Sequence, residues 1–191
     1  MRANSIWLVA LFVVTTSLAS WLGMQAVHEA GHVLAAKLTG GRVSNVVLHP
    51  LEISRTDVAE NPHPVIVCWA GPLFGVIAPL VVWLIGAACR WRGAFVLRFF
   101  CGFCLVANGL YIGLGWMLTA TDASDLVGHG EPIWRIVLFG AVTAPLGFVL
   151  WNGLGSRFGL GPEAKQIDGS VAAVMCVALG AIAALSIWVG R

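Results

Sequence analysis

Residues 6–38 have the sequence IWLVALFVVTTSLASWLGMQAVHEAGHVLAAKL, an apolar run that contains the motif His28-Glu29-Ala30-Gly31-His32. No turn sequence interrupts this run before Gly40-Gly41, so the pattern favours one helix of about 50 Å at 1.5 Å per residue. Two shorter helices bent at Gly23 are the alternative. In both cases an ionisable motif lies inside a stretch that is long enough to span a bilayer, and such residues are typical of functional sites.

The composition is that of a membrane protein. Of the 191 residues, 59% are hydrophobic and only 10% are charged, whereas soluble domains have about 25% charged residues. The net charge is only +2, and no basic cluster accompanies it, so nucleic acid is excluded as an expected partner. Nothing in the sequence specifies the oligomeric state.

Four further apolar stretches are long enough to cross a bilayer. They are Val65–Cys89, Phe95–Leu118, Ile133–Trp151 and Ser170–Val189. We therefore predict an all-α polytopic membrane protein with five transmembrane helices, or six if the first stretch is divided. Residues 1–191 are expected to form a single transmembrane domain, and its last two spans occupy about residues 133–190.

A polar stretch follows the first helix, between Gly41 and Pro64. Residues 42–48 and residues 51–58 each alternate in part between apolar and polar side chains, and His49-Pro50 lies between them. This pattern predicts a short β-hairpin-like loop directly after the helix that carries the motif.

The motif at residues 28–32 concentrates the chemistry of the chain. His28 and His32 are four residues apart, so both imidazoles lie on one face of a helix and can bind one zinc ion at about 2 Å. Glu29 points away from the metal, but it can reach a water molecule on the metal and act as its general base. The alternative is a buried polar group that only links helices.

A catalytic zinc site needs a third protein ligand. The polar candidates are His49, His63, Asp122, Asp125 and His129. The chain crosses the membrane and returns before Asp122, so Asp122 and Asp125 emerge on the face where the first helix ends. One helical turn presents both carboxylates together, as candidate ligands or merely as caps of the next helix.

Three segments resemble motifs of the site-2 protease family of intramembrane zinc metallopeptidases. HEAGHVLAAKLTGGRV, at residues 28–43, is similar to the zinc-binding helix of that family. Ala70-Gly71-Pro72-Leu73 resembles its Ala-Gly-Pro motif. Asn108 and the later Asp122-Ala123 resemble its asparagine-containing span and its Asp-Gly ligand motif. Together these segments cover a three-helix core of about residues 10–128.

The resemblance implies that His28, His32 and Asp122 bind zinc and that Glu29 is the catalytic base, with Asp125 as the reserve ligand. The expected activity is hydrolysis of peptide bonds in or near the membrane by a zinc-activated water. The expected partners are therefore a membrane protein or peptide substrate and the lipid bilayer. A bacterial-type cytoplasmic membrane is the expected location.

Two other functions are compatible with these residues. A membrane scaffold or binding protein would keep the metal-site helix without proteolysis. A small proton or metal transporter would use His28, Glu29 and Asp122 along a path through the membrane. A transporter would, however, spread its polar residues over several spans, whereas here they are concentrated in one helix and one loop.

Overall fold

A computed structural model describes residues 5–189 of the chain. Its elements in chain order are α1 (Ile6–Leu38), β1 (Arg42–Val47), β2 (Arg55–Glu60), α2 (Pro64–Ala88), α3 (Ala94–Gly115), α4 (Asp122–Gly128), α5 (Ile133–Trp151), a short 3-10 helix (Gly155–Phe158) and α6 (Gly169–Val189). Within residues 5–189, five helices are long and apolar enough to cross a membrane, namely α1, α2, α3, α5 and α6. The predicted polytopic, all-α fold with five spans is confirmed.

The first span is one continuous helix of 33 residues. Gly23 does not divide it; a Cβ there would lie 3.2 Å from the ring of Phe100 on α3, so the glycine serves helix packing. A Cβ at Gly31 would overlap the carbonyl oxygen of Ala70 on α2. The helix ends before Gly40, whose φ of +79° is a left-handed conformation that glycine adopts without strain.

The predicted hairpin is present, with β1 and β2 paired antiparallel. The second strand begins at Arg55 and not at Leu51, because residues 48–54 form the connection between the strands. Val43 and Val58 pair across the hairpin and pack on the cluster that includes Ala36 of α1. The hairpin therefore folds back along α1, towards the motif.

The apolar side chains at the hairpin tip are largely exposed. Leu51 is 89% exposed and Ile53 is 88% exposed. Exposed apolar side chains of this size are unfavourable in water and favourable in lipid. The tip is therefore suited to contact with the bilayer beside α1.

The remaining helices surround α3, which packs against α1, α2 and α5, while α6 packs on α1. A Cβ at Gly113 of α3 would lie 2.9 Å from the Cα of Gly140 on α5. Such small residues let transmembrane helices approach closely. At the other end of α1, Phe12 stacks on Phe158, with ring centroids 5.2 Å apart, and both belong to the cluster that holds α6.

Candidate metal centre

The motif on α1 directs both histidines into the helix bundle. His28 and His32 are each 6% exposed, and their Nε2 atoms lie 3.1 Å apart. Residues four positions apart lie on the same helix face, one turn from each other. The two imidazoles therefore converge as the sequence spacing predicts.

Asp122 joins the two histidines from the first turn of α4. Its Oδ2 lies 2.9 Å from Nε2 of His28 and 3.3 Å from Nε2 of His32. In the part of the chain that the structure describes, His28, His32 and Asp122 are the one group of three metal-ligand side chains whose donor atoms all lie within 4.8 Å. The structure thus brings together the three residues predicted to bind zinc.

The turn between α3 and α4 carries Asp122 back to the histidines. Ala120 has a φ of 58°, a left-handed conformation that is uncommon for a residue with a side chain. The Thr121 hydroxyl donates to the carbonyl oxygen of Gly115 and accepts from the amide of Ser124, which caps α4. Because Thr121 is the cap, the carboxylate of Asp122 is directed to the histidines instead.

The second nitrogen of each imidazole faces a hydrogen-bond acceptor. Nδ1 of His28 lies 2.6 Å from Oδ1 of Asn108, and Nδ1 of His32 lies 2.8 Å from the carbonyl oxygen of Val67. The Asn108 amide is oriented by Nδ2, which donates to the carbonyl oxygen of Cys104. Both Nδ1 atoms are therefore donors, which leaves the lone pair of each Nε2 free to face a metal ion. Such outer hydrogen bonds typically support histidine ligands.

The Ala-Gly-Pro segment of α2 leaves the space that this arrangement needs. A Cβ at Gly71 would overlap Nε2 of His32, and a Cβ at Gly75 would lie 2.8 Å from the side-chain amide of Asn108. Only glycine at these positions lets α2 approach the His32 ring and Asn108. The glycine of the Ala-Gly-Pro motif at residues 70–73 is thus needed for steric reasons in this fold.

The three donor atoms fit a zinc ion. Two Nε2 lone pairs and a carboxylate oxygen meet at distances of 2.9, 3.1 and 3.3 Å, with no donor between them when both Nδ1 atoms carry the protons. Ligands at about 2.0–2.1 Å around a tetrahedral zinc are about 3.3 Å apart. Two histidines and one carboxylate are also a known donor set of catalytic zinc.

The surroundings of Asp122 favour the ionised form of its carboxyl group. Burial acts to raise its pKa. When the imidazoles carry a proton on Nε2, their hydrogen bonds and charge outweigh burial and leave the pKa of Asp122 below its ordinary value. A bound cation would take the place of those protons. A carboxylate must be ionised to bind a metal. At neutral pH the negative charge of Asp122 therefore favours binding of a cation.

Glu29 lies beside this group and is only 3% exposed. Its Oε2 accepts a hydrogen bond of 2.8 Å from the hydroxyl of Thr56 on β2. The hairpin thus fixes the direction of the carboxylate predicted to be the base. Nothing in the sequence pointed to Thr56, because the contact joins residues 27 positions apart and depends on how the hairpin lies on α1.

Two cavities meet at the motif. The polar cavity, of about 620 Å³, contains His28, His32 and Asp122 and is walled by β2. The apolar cavity, of about 320 Å³, lies between α1 and α3, beside the hairpin tip. The residues that line both are His28, Glu29, Ile53, Ser54 and Tyr111. The predicted base and one predicted ligand therefore stand between two spaces of different polarity.

Tyr111 is a site residue that the sequence analysis missed. Its hydroxyl oxygen accepts the backbone N–H of Asp122 at 3.3 Å, and its ring lies edge-on to that of His28, with centroids 5.7 Å apart. It is the single tyrosine of the chain and lies three residues after Asn108, on the same helix face. That spacing is the feature of the sequence from which Tyr111 could have been predicted as a site residue.

The other predicted candidates lie outside the three-residue group. Asp125, the reserve ligand, is exposed, and its carbonyl oxygen accepts a hydrogen bond from Nδ1 of His129 at 2.7 Å. His49 accepts the amide of Leu51 within the hairpin connection, and His63 is exposed before α2. The geometry therefore singles out Asp122, although the metal-binding roles themselves stay predictions.

A comparison with known protein families gives an independent result. A family model described as Peptidase M50B-like matches residues 4–121. The matched region is more than half of the chain and includes the motif on α1, the hairpin, α2 and α3. No curated protein and no solved structure gives a significant match.

Proposed function

The chain belongs to the Peptidase M50B-like family, a site-2 protease family, and on that premise we propose that it is an intramembrane zinc metallopeptidase. The observation that carries the proposal is the convergence of two imidazole nitrogens and one carboxylate oxygen within 3.3 Å of one another. This group lies on a membrane-spanning helix, beside a buried glutamate. A peptidase family and a metal-binding geometry support the same activity.

We assign zinc binding to His28, His32 and Asp122, and general base catalysis to Glu29. Bound zinc would polarise the scissile carbonyl and lower the pKa of water towards about 7. Glu29 takes the proton from the attacking water and delivers it to the leaving amine. Thr56 donates to one oxygen of Glu29, which leaves the other oxygen for the transferred proton.

We propose a membrane protein or a membrane-proximal peptide as the substrate. A helical substrate must unwind locally before cleavage, because its backbone groups are hydrogen-bonded to one another. Ser54 and the first four residues of β2 line the polar cavity. Among the described residues, β2 pairs only with β1. An extended peptide can add to the outer edge of β2, beside His28 and Glu29.

The lipid bilayer is the other proposed partner. Large apolar side chains cover the outer helices, and Val177 and Trp188 on α6 are 72% and 73% exposed. The protein is a multi-pass membrane protein, and we propose a bacterial-type cytoplasmic membrane as its location. The family resemblance is the support for that location.

Zinc content tests the ligand assignment. Purified wild-type protein is expected to hold about one zinc per chain. His28→Ala and Asp122→Ala are each expected to lose the zinc, because two remaining protein ligands bind it much more weakly than three. Asp125→Ala is the matched control, since it removes an exposed carboxylate from the same helix. A folded wild-type protein that takes up no zinc when metal is supplied would contradict the assignment.

Cleavage of a model transmembrane peptide in vesicles tests the activity. Glu29→Gln is expected to keep its zinc and to cleave at least about 100-fold more slowly, the typical contribution of a general base. Equal rates for wild type and Glu29→Gln would show that Glu29 is not the base. A zinc-loaded wild type that cleaves no peptide would favour the non-proteolytic scaffold function instead.

A further inference from the structure

We infer that the apolar cavity is a substrate subsite, in which one large apolar side chain of an unwound substrate is held while Gln25 hydrogen-bonds the substrate backbone. The inference rests on the proposed function and names a feature of its substrate. Three observations carry it: an amide without a protein partner in the wall of a cavity, the apolar walls of that cavity, and its continuity with the candidate metal centre.

Gln25 is a buried polar residue in the wall of this cavity. It lies on α1 three residues before His28, is 7% exposed and lines the apolar cavity. Among the described residues, no protein group hydrogen-bonds its side-chain amide. The amide atoms are not among the fully buried, unpartnered side-chain atoms of the described residues, so they keep access to the cavity. A ligand in the cavity can therefore hydrogen-bond them.

The chemistry of an amide indicates which ligand this is. Gln25 offers a donor and an acceptor together, which match the carbonyl and the N–H of one peptide unit. The residue lies about 20 Å along α1 from Leu38, at 1.5 Å per residue. An unwound substrate backbone has lost its internal hydrogen bonds, and an amide in the cavity wall can replace one donor and one acceptor.

The walls of the cavity favour an apolar side chain. Trp21 and Met24 come from α1, Ala107 and the ring of Tyr111 from α3, and Ile53 from the hairpin tip. The volume of about 320 Å³ is at the lower end of the roughly 300–1,000 Å³ found for small-ligand pockets. That space accommodates a leucine or phenylalanine side chain together with part of the substrate backbone, and alanine would leave more of it unfilled.

Continuity with the candidate metal centre places this side chain close to the scissile bond. His28, Glu29 and Tyr111 line both cavities. An extended chain advances about 3.3 Å per residue, so a peptide with one side chain in the apolar cavity would pass the metal ligands within about two residues. Glu52 also lines the apolar cavity, from the exposed hairpin tip, and it makes a lysine side chain the competing occupant.

The subsite is tested first by binding, with Glu29→Gln protein in phosphatidylcholine–phosphatidylglycerol vesicles. A model transmembrane peptide carries one benzophenone side chain, which is moved along its unwound segment. We expect crosslinks to Met24 from one or two adjacent peptide positions, and their loss in Ala107→Phe, which fills the cavity. Crosslinks only to residues of the polar cavity, or only to lipid, would overturn the inference. This readout needs no catalysis, so a protein that cleaves nothing still tests it.

Cleavage then tests specificity and the role of Gln25. At one position of the peptide, leucine or phenylalanine is expected to be cleaved about tenfold faster than alanine, the usual effect of a few methylenes in an apolar pocket. Gln25→Leu is expected to lower cleavage of every peptide about tenfold, because one substrate backbone group is left without a partner. The zinc content of Gln25→Leu and of Ala107→Phe should equal that of the wild type.

A matched control removes a polar group from the same helix at a residue that lines neither of the two cavities. The hydroxyl of Thr16 is buried and has no partner among the described residues, and Thr16 lines neither cavity, so Thr16→Val should cleave like wild type. Equal losses in Thr16→Val and Gln25→Leu would overturn the binding role of Gln25. A preference for lysine over leucine would show that the charge of Glu52 determines which side chain the cavity binds, and it would overturn the apolar subsite.

Discussion

The three-helix core and the two outer spans are all strongly apolar, yet they differ in what they bury. α1 and α3 enclose His28, Glu29, His32 and Asn108, which are 1–6% exposed. α5 and α6 bury only small hydroxyl groups among their described polar residues, Thr143 and Ser186. The chain therefore separates a polar interior from spans that mainly meet lipid and neighbouring helices.

Glycine shows the same difference between the two regions. In the core, a Cβ at Gly71 would overlap the ring of His32, whereas a Cβ at Gly180 of α6 would meet no atom within 4 Å. A small residue in the core makes space for a functional ring, and the same residue in α6 faces open space. Hydropathy alone does not distinguish these two uses of glycine.

The largest expected effect is that of a substitution at Gly71, compared with the same substitution at Gly180. Gly71→Ala places a methyl group where Nε2 of His32 lies, so we expect loss of zinc binding and of peptide cleavage. Gly180→Ala makes the same chemical change in α6 and should leave both unchanged. Metal analysis and the vesicle cleavage assay check this pair. Normal zinc content in Gly71→Ala would mean that α2 shifts freely and that the tight contact is not required.

A smaller effect is expected when the outer support of His28 is removed. Asn108→Ala deletes the acceptor that lies 2.6 Å from Nδ1 of His28, and loss of such a partner typically weakens metal affinity 10-fold to 100-fold. Titration against a zinc chelator measures the change. Asn152→Ala, at the exposed end of α5, is the control from the outer region. Unchanged affinity in Asn108→Ala would mean that another group orients the imidazole.

The smallest effect is expected for the hydrogen bond between the hairpin and the motif. Thr56→Val removes the donor to Glu29 and should lower kcat about tenfold, as expected when one hydrogen bond to a charged group is lost. Zinc content should not change, because Thr56 is not in the group of three metal-ligand side chains. Thr56→Ser keeps the hydroxyl and should restore most of the rate. A fall in zinc content in Thr56→Val would instead indicate a structural role.

The spans could be predicted from the sequence because each depends on a local property. A long apolar run without turn residues gives a helix such as α1, and the i, i+4 spacing of His28 and His32 places them on one face. The hairpin was predictable from partial alternation and turn residues. Its second strand was placed too early, because the exposed Leu51 and Ile53 continue the alternation although they belong to the connection.

The parts that could not be predicted depend on contacts between distant segments. Asn108 and Asp122 are 14 residues apart, and only the turn at Ala120 and Thr121 brings the carboxylate back to the histidines. The contact between Thr56 and Glu29 depends on how the hairpin folds onto α1. The choice of Asp122 over Asp125 likewise depends on which residue caps α4, and that residue is Thr121.

The order of the donor residues along the chain has a consequence for synthesis. His28 and His32 enter the membrane with the first span, whereas Asp122 follows the third. At the usual rate of about 5–20 residues per second, the ribosome needs roughly 5 to 20 s to add the approximately 90 residues between His32 and Asp122. During that interval the nascent chain lacks its third proposed ligand. The proposed metal site therefore stays incomplete until the third span has been synthesised.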